Sequence, residues 1–337
     1  MFIYVVSGLI LLILLTGLTC NEQTTGVAQT TRAYDAPPDP DTHVTIFVTG
    51  DVMTGRGIDQ ALPHPGSPLI HESYMKMATG YIELAEQAHG PLQTPLSYDF
   101  IWDDALAELE QVRPDVKIIN LETSITTSDN YWPDKGIQYR MNPANIPVLT
   151  VAKIDACVLA NNHVLDWGYA GLAQTLNTLT AANIKVTGAG QSLAEATAPA
   201  LLEIARKGRV VLFSYGLPSS GIPSAWGATR AQAGVNLLPH LSGYAVQRIK
   251  KAVAATEEKN DIIVVSIHWG SNWGYDIPAR QTDFAHKLID QAGVDLVHGH
   301  SSHHPKGIEV YRGKLILYGA GDFFNDYEVI RGYVQFR

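Results

Sequence analysis

From Val44 onward the chain alternates short, almost unbroken apolar runs with stretches in which apolar residues recur every three or four positions. The runs Val44–Thr49, Val116–Leu121, Ile154–Ala160, Ile184–Thr187, Asp261–Ile267 and Val294–Val297 read as strands buried in a core. Between them, Phe100–Val112 carries Ile101, Ala105, Leu109 and Val112 at helical spacing, and Arg113-Pro114 ends it. Leu172, Leu176 and Leu179 mark the buried face of a helix over Tyr169–Leu179, and Leu241–Ala255 and Phe284–Ala292 read as further helices. Strand and helix in alternation predict an α/β sheet. Two hairpins interrupt the alternation, Pro199–Ile204 with Arg209–Tyr215 about Lys207-Gly208, and Gly307–Tyr311 with Lys314–Tyr318 across Arg312-Gly313. Ile58–Pro95 is rich in Pro and His with helical character only at Tyr81–Ala88, and reads as an excursion over the mouth of a site. No internal repeat is present.

The beginning of the chain follows other rules. Met1–Thr19 has no charged side chain and is dominated by Leu, Ile and Val, long enough for a bilayer span or the core of a signal peptide. Residues 1–20 are therefore expected to be a signal or membrane anchor, 21–43 a polar Thr- and Pro-rich linker, and 44–337 the folded domain. Cys20 stands where a lipid-modified cysteine would, although Gly17-Leu18-Thr19 departs from the usual lipobox, so lipoprotein, uncleaved anchor and secreted product all stay open. Cys157 lies inside an apolar run and reads as a buried thiol. The chain stops at Gly332–Arg337 just as another strand begins, which suggests a truncated C-terminus.

Charge narrows the partners. The 24 basic and 33 acidic residues give a net −9 with no Lys/Arg-rich run, which argues against nucleic acid. An anionic substrate would need local positive charge, such as metal ions.

Chemistry collects at the strand ends. VTIFVTGDVM ends on Asp51, VKIINLE on Glu122, DACVLANNHVLD on Asn161, Asn162, His163 and Asp166, and IIVVSIHWG on His268. The apolar run at Leu296 breaks into a loop with His298, His300, His303 and His304. In α/β folds the carboxyl ends of strands converge on one crevice, so ligands distant in sequence can meet there. Each residue alone has a plain structural reading: asparagines cap helices, Asp322 suits a turn after the last hairpin, and Arg56 suits the surface. The ordered set is harder to dismiss. Carboxylate, amide oxygen and imidazole together suit one or two divalent ions such as Mn, Fe or Zn. Two ions sharing a carboxylate would clamp a phosphoryl group and activate water at neutral pH. Arg56, Tyr139 and Arg140 are candidate substrate contacts.

Gly50-Asp51-Val52-Met53 with Gly55-Arg56, Asn120-Leu121-Glu122, Asn161-Asn162-His163 with Asp166 and Gly168, His268-Trp269-Gly270 and Gly299-His300-Ser301-Ser302-His303 resemble the motifs of the CapA, or poly-γ-glutamate capsule synthesis, family. That family is a branch of the calcineurin-like metallophosphoesterases, and the likeness runs from about Val44 to Glu328. It implies a sandwich of two packed mixed β-sheets flanked by helices, and a role in making, exporting or anchoring an anionic capsule polymer at the outer face of the membrane, alongside other capsule-synthesis proteins. Carried over, Asp51, Glu122 and His303 would hold one ion, and Glu122, Asn162, His268 and His300 the other, with Glu122 as the bridge. His163 would be the general acid and Asp166 its orienting partner. The pattern is broken where Met53 replaces the second ligand of the first motif, where His300 and His303 stand three apart rather than two, and where Glu122 replaces an aspartate. These departures leave two further readings: a membrane-tethered accessory that binds an anionic polymer without turnover, and a metal-dependent hydrolase of γ-glutamyl amide bonds.

Overall fold

The computed structural model describes residues 43–327 and a two-residue strand, Ile13–Leu14. The expected signal or anchor, most of the linker and the last ten positions therefore lie outside the described residues, Ile13–Leu14 excepted. Among the described residues no helix is long and apolar enough to cross a membrane.

The first half of the chain builds most of one sheet. Thr45–Val52 (β1) leads to the short helix Arg56–Ala61 (α1), then to Thr79–His89 (α2) and Asp104–Val112 (α3). Val116–Leu121 (β2), Ala156–Val158 (β3), the helix Gly168–Ala181 (α4) and Lys185–Thr187 (β4) follow. The second half supplies Ala200–Ile204 (β5), Gly208–Gly216 (β6), the helix Gly243–Ala254 (α5), Ile262–His268 (β7), the helix Ala279–Ala292 (α6) and Leu296–His300 (β8). Ile308–Tyr311 (β9), Lys314–Leu317 (β10) and Asp322–Phe324 (β11) complete it.

β11, β1, β2, β3 and β4 lie side by side in parallel, and Ile13–Leu14 pairs antiparallel with β1, so this sheet is mixed. The second sheet runs β9, β10, β8, β7, β6, β5, with a parallel centre and antiparallel edges formed by the two expected hairpins. Ile46, Val48, Ile118 and Val158 from one sheet meet Leu202, Leu212, Val264 and Leu296 from the other in a single apolar layer. The outer faces are covered too. Ile119, Cys157 and Leu159 pack with Leu172, Leu176 and Leu179 of α4, while Phe213, Val265 and Ile267 pack with Val246, Ile249, Phe284 and Leu288 of α5 and α6. Strands buried on both faces explain the unbroken apolar runs, and each fully buried Leu, Ile or Phe contributes about 1.5–3 kcal/mol. The architecture is the helix-flanked two-sheet sandwich that the sequence motifs imply.

The boundaries shift where the site begins. The expected strand at 154–160 shortens to Ala156–Val158, because the chain leaves the ladder to enter the Asn161 loop. Conversely, β8 extends through His298 and His300, which the sequence assigned to a loop. Parallel pairing with β7 carries the ladder on, with His298 opposite Ser266 and His300 opposite His268.

Candidate metal centre

The two sheets meet at one seam, and most of the candidate ligands stand along it. Asp51 lies opposite Asn120 on one side and Asp322 on the other, so register alone sets the Asp51 and Asp322 carboxylates on neighbouring strands. Gly50 permits this approach: a Cβ there would fall 1.7 Å from the carbonyl oxygen of Gly321. Leu296, His298 and His300 share one face of β8 by the two-residue period of a strand, with Leu296 in the layer between the sheets. The His298 Nε2 contact to the Thr49 carbonyl, 2.8 Å, crosses from one sheet to the other.

Hydrogen-bond directions can be followed ring by ring. The Thr49 carbonyl only accepts, so His298 Nε2 carries the hydrogen. Burial pushes His298 down to about 4, so the ring is neutral and Nδ1 accepts from the Ser266 hydroxyl at 3.1 Å. With its one hydrogen spent, Ser266 Oγ accepts from His300 Nε2 at 2.9 Å. Burial, then His268 and His298, lowers His300 well below the usual imidazole range, so its Nδ1 bears a lone pair. That lone pair faces His268 Nδ1 at 2.7 Å and Asp51 Oδ1 at 4.0 Å.

His268 cannot satisfy all its neighbours while neutral. A hydrogen on Nδ1 leaves Nε2 as a lone pair facing Glu122 Oε1 and Asn162 Oδ1, each 3.0 Å away. A hydrogen on Nε2 leaves two Nδ1 lone pairs facing each other at 2.7 Å. Asp51 Oδ2 is buried without a hydrogen-bond donor among the described residues, although buried polar groups are normally paired, and Glu122 Oε1 has His268 Nε2 beside it at 3.0 Å. Whichever nitrogen carries the hydrogen, one pair of lone pairs is left facing across a buried contact, which a cation resolves, and the donors suit a borderline divalent ion. The residues fit a metal.

Charge agrees with geometry. Burial, then Glu122 and Asp322, raises Asp51 well above the usual carboxyl range. For Glu122 burial also pushes upward, but His268, His163 and His303 outweigh it and bring the group down to about 2. Ligand atoms of Asp51, His268 and His300 lie within 4.8 Å of one another, and so do those of Asp51, His303 and Asp322. Asp51 is common to both groups; Glu122, assigned as the bridge from the motifs, lies against His268.

His163 Nδ1 lies 2.7 Å from Asp166 Oδ2 and 3.0 Å from Lys135 Nζ, and Lys135 also pairs with Asp166 Oδ1. Burial, then Lys135, lowers His163, and Asp166 opposes the shift. Tyr139 stacks on His163 with ring centres 4.0 Å apart, and its backbone N–H donates to Asp166 Oδ2 at 2.7 Å. A cavity of about 520 Å³ opens beside the ring, lined by Lys135, Tyr139, Asn162, Trp273, His303 and Tyr327 among others. Arg56 also lines it, but its guanidinium is bonded to Asp326, to Glu72 and to Tyr81. Arg140 points elsewhere: it lies over Trp167 and donates to the Ser128 carbonyl, to Asp129 and to the Ser67 carbonyl.

Several residues escaped the sequence reading. Asp322 opens β11 rather than closing an apolar run, and the sequence reads it as a turn acid. Ser266, a lone hydroxyl inside IIVVSIH, was a visible anomaly, whereas Lys135 sits in a turn-rich stretch with no local mark.

Residues 45–327 match the family described as bacterial capsule synthesis protein PGA_cap. The chain is 48% identical over 295 residues to a protein of Mycobacterium tuberculosis named "Probable polyglutamine synthesis accessory protein", covering 87% of this chain and 77% of that one. It is 32% identical over 209 residues to "PGA biosynthesis protein CapA" of Bacillus subtilis, covering 61% and 52%. It is 22% identical over 285 residues to "Capsule biosynthesis protein CapA" of Bacillus anthracis, covering 84% and 60%. With its five motifs in order on a two-sheet sandwich and the family matched from end to end of that sandwich, the chain belongs to the bacterial capsule synthesis protein family PGA_cap.

Proposed function

We propose that this protein is a membrane-tethered, extracytoplasmic hydrolase of phosphoester type, dependent on one or two divalent ions, that serves the synthesis or export of a capsule polymer such as poly-γ-glutamate. The observation that carries the site is the buried convergence of His268, His300, Glu122 and Asn162, whose contacts no neutral form of His268 satisfies together. Asp51, Glu122, Asn162, His268, His300 and His303 would hold Mn, Fe or Zn, which as a Lewis acid would polarise the scissile bond and activate water. The names of the relatives support the polymer system, and the uncharged start of the chain supports the tether.

His163 then works on the substrate. With Nδ1–H held by Asp166, Nε2 offers a lone pair; with Nδ1 accepting from Lys135, Nε2 carries a hydrogen. Both partners are in place, so Nε2 can give a proton to a leaving oxygen and take one back. Tyr139 stacked on the ring fixes its plane.

A second reading has its own observation. Met53 is buried, and its sulfur accepts from the Gly55 N–H at 3.1 Å, so the first motif contributes one ligand where the parent superfamily uses two. A weakened centre favours an accessory that binds an anionic polymer or one ion without turnover. Metal analysis of purified protein, with assays on a generic phosphodiester and a γ-glutamyl substrate, separates these readings. Bound metal with phosphodiester turnover that His163→Ala abolishes supports the hydrolase. Turnover of the γ-glutamyl substrate alone relocates the scissile bond, and metal with neither activity supports the accessory.

A further inference from the structure

We infer that Asp51 is shared by two ion positions, and that Asp322 supplies the ligand that Met53 does not. The inference rests on the metal-centre reading above and deepens it. β11 lies beside β1 with Asp322 opposite Asp51, so the two carboxylates are adjacent by backbone geometry. Met53 sits two residues beyond Asp51, just past the end of β1, with its sulfur taken by Gly55 and its body by the core. The position it vacates is approached from the next strand.

Spacing agrees. Two donors on one ion, each at roughly 2.1 Å and near a right angle, stand about 3 Å apart. His303 Nδ1 lies 2.9 Å and 3.1 Å from the two oxygens of Asp322, and both residues belong to one group with Asp51. Acidic residues alone would not make this a site. The independent observation is Asp51 Oδ2, on a side chain about 1% exposed, which has no hydrogen-bond donor among the described residues. Asn325 Nδ2 donates to Asp322 Oδ2 at 2.8 Å, the kind of outer contact that fixes a ligating carboxylate. The simpler alternative is that Asp322 only orients His303, whose Nε2 is met by Asn272 at 2.9 Å. It leaves Asp51 Oδ2 unexplained.

The test is Mn²⁺ binding to the full chain, read as equivalents bound and as the electron paramagnetic resonance signal, which differs for coupled and isolated ions. Two equivalents with a coupled signal are expected in the wild type. Asp322→Ala should keep one equivalent, lose the coupling and weaken the second ion by more than about 100-fold, beyond the 10–100-fold typical of outer-shell partners. Asp322→Asn, equal in size, repeats the measurement should the alanine variant fold poorly, and should retain one ion tightly and the second weakly. Asp51→Ala should lose both ions. Two equivalents retained in either Asp322 variant within that 10–100-fold range, or a wild type with a single ion untouched by the change, would overturn the inference while the hydrolase reading stands. No Mn²⁺ bound by the wild type overturns both.

Discussion

Ser266→Ala tests the chain of hydrogen bonds behind His300 without touching any candidate ligand. Ser266 Oγ is buried, receives the His300 Nε2 hydrogen at 2.9 Å and donates to His298 Nδ1 at 3.1 Å. Without it nothing holds the His300 hydrogen on Nε2, and the ring is free to place it on Nδ1, where it would face the ion instead of a lone pair. Loss of an outer-shell partner of a metal-binding histidine typically costs 10–100-fold in affinity, about 1.4–2.7 kcal/mol. Two ring nitrogens also lose a buried partner, at about 1 kcal/mol each, so the folded state should lose about 2 kcal/mol. Affinity is measured by chelator competition with Zn²⁺, stability by denaturant unfolding of the metal-free protein, and the tautomer by ¹⁵N shifts of labelled histidine. Thr187→Val is the control: its hydroxyl is also buried, donating to the Ala198 carbonyl at 2.8 Å, but belongs to neither candidate group, so stability should fall with Zn²⁺ affinity unchanged. A Ser266→Ala protein that binds Zn²⁺ as tightly as the wild type, with the Nε2–H form of His300 intact, would refute the hydrogen-bond assignment.

Two further outcomes follow from buried charge. The folded pKa of His298, about 4, lies below the free imidazole value, so the unfolded chain binds more protons between the two. Its contribution of about 3 kcal/mol is therefore complete above about pH 6.5 and lost as pH falls toward 4, and metal-free His298→Gln should show a shallower fall in stability over that window; an unchanged slope would contradict the assignment. Asp326→Ala strips the buried Arg56 guanidinium of a partner that accepts from Nε at 3.1 Å, and should cost about 3 kcal/mol in urea unfolding, the low end for a broken buried pair because Glu72 remains; a loss below about 1 kcal/mol would mean that Arg56 reaches solvent or substrate.

The fold was legible because strands buried on both faces are written as largely apolar runs, and β1, β2 and β7 are, apart from a few polar positions. Asp51, Glu122 and His268 were legible for a related reason: a polar side chain directly after such a run stands at a sheet edge, where parallel strands converge. The same logic failed at β8, since His298 and His300 break the apolar pattern while the ladder continues beneath them. Pairing is a property of the backbone and of the neighbouring strand, which residue type at one position does not report. Asp322 was missed because its meaning depends on lying opposite Asp51, a contact across 271 positions of chain that no local window contains. Arg56 and Arg140 illustrate the converse. Either suits an anion by type, and only the partners around them, Asp326 and Glu72 for one and Asp129 with two carbonyls for the other, reveal how each charge is met.

The position of the site has a consequence for the fold itself. Asp51, Glu122, Asn162 and Asp322 come from the first sheet or the loops leaving it, and His268 and His300 from the second. In between stands His298, whose ring carries a hydrogen bond from one sheet to the other. An ion gripped from both sides joins the two sheets at the end where carboxylates rather than apolar side chains face each other. Because the unfolded chain offers no such preformed grip, binding free energy becomes folding free energy, about 2.7 kcal/mol when the free ion is at a hundred times its dissociation constant. Without the ion, the carboxylates of Asp51, Glu122 and Asp322 lie close together, and burial first, then repulsion from Glu122 and Asp322, raises the Asp51 pKa. The centre that would carry the chemistry would thus also fasten the sandwich at its polar end, and chelation should loosen β8 and β11 before it loosens the apolar layer beneath them.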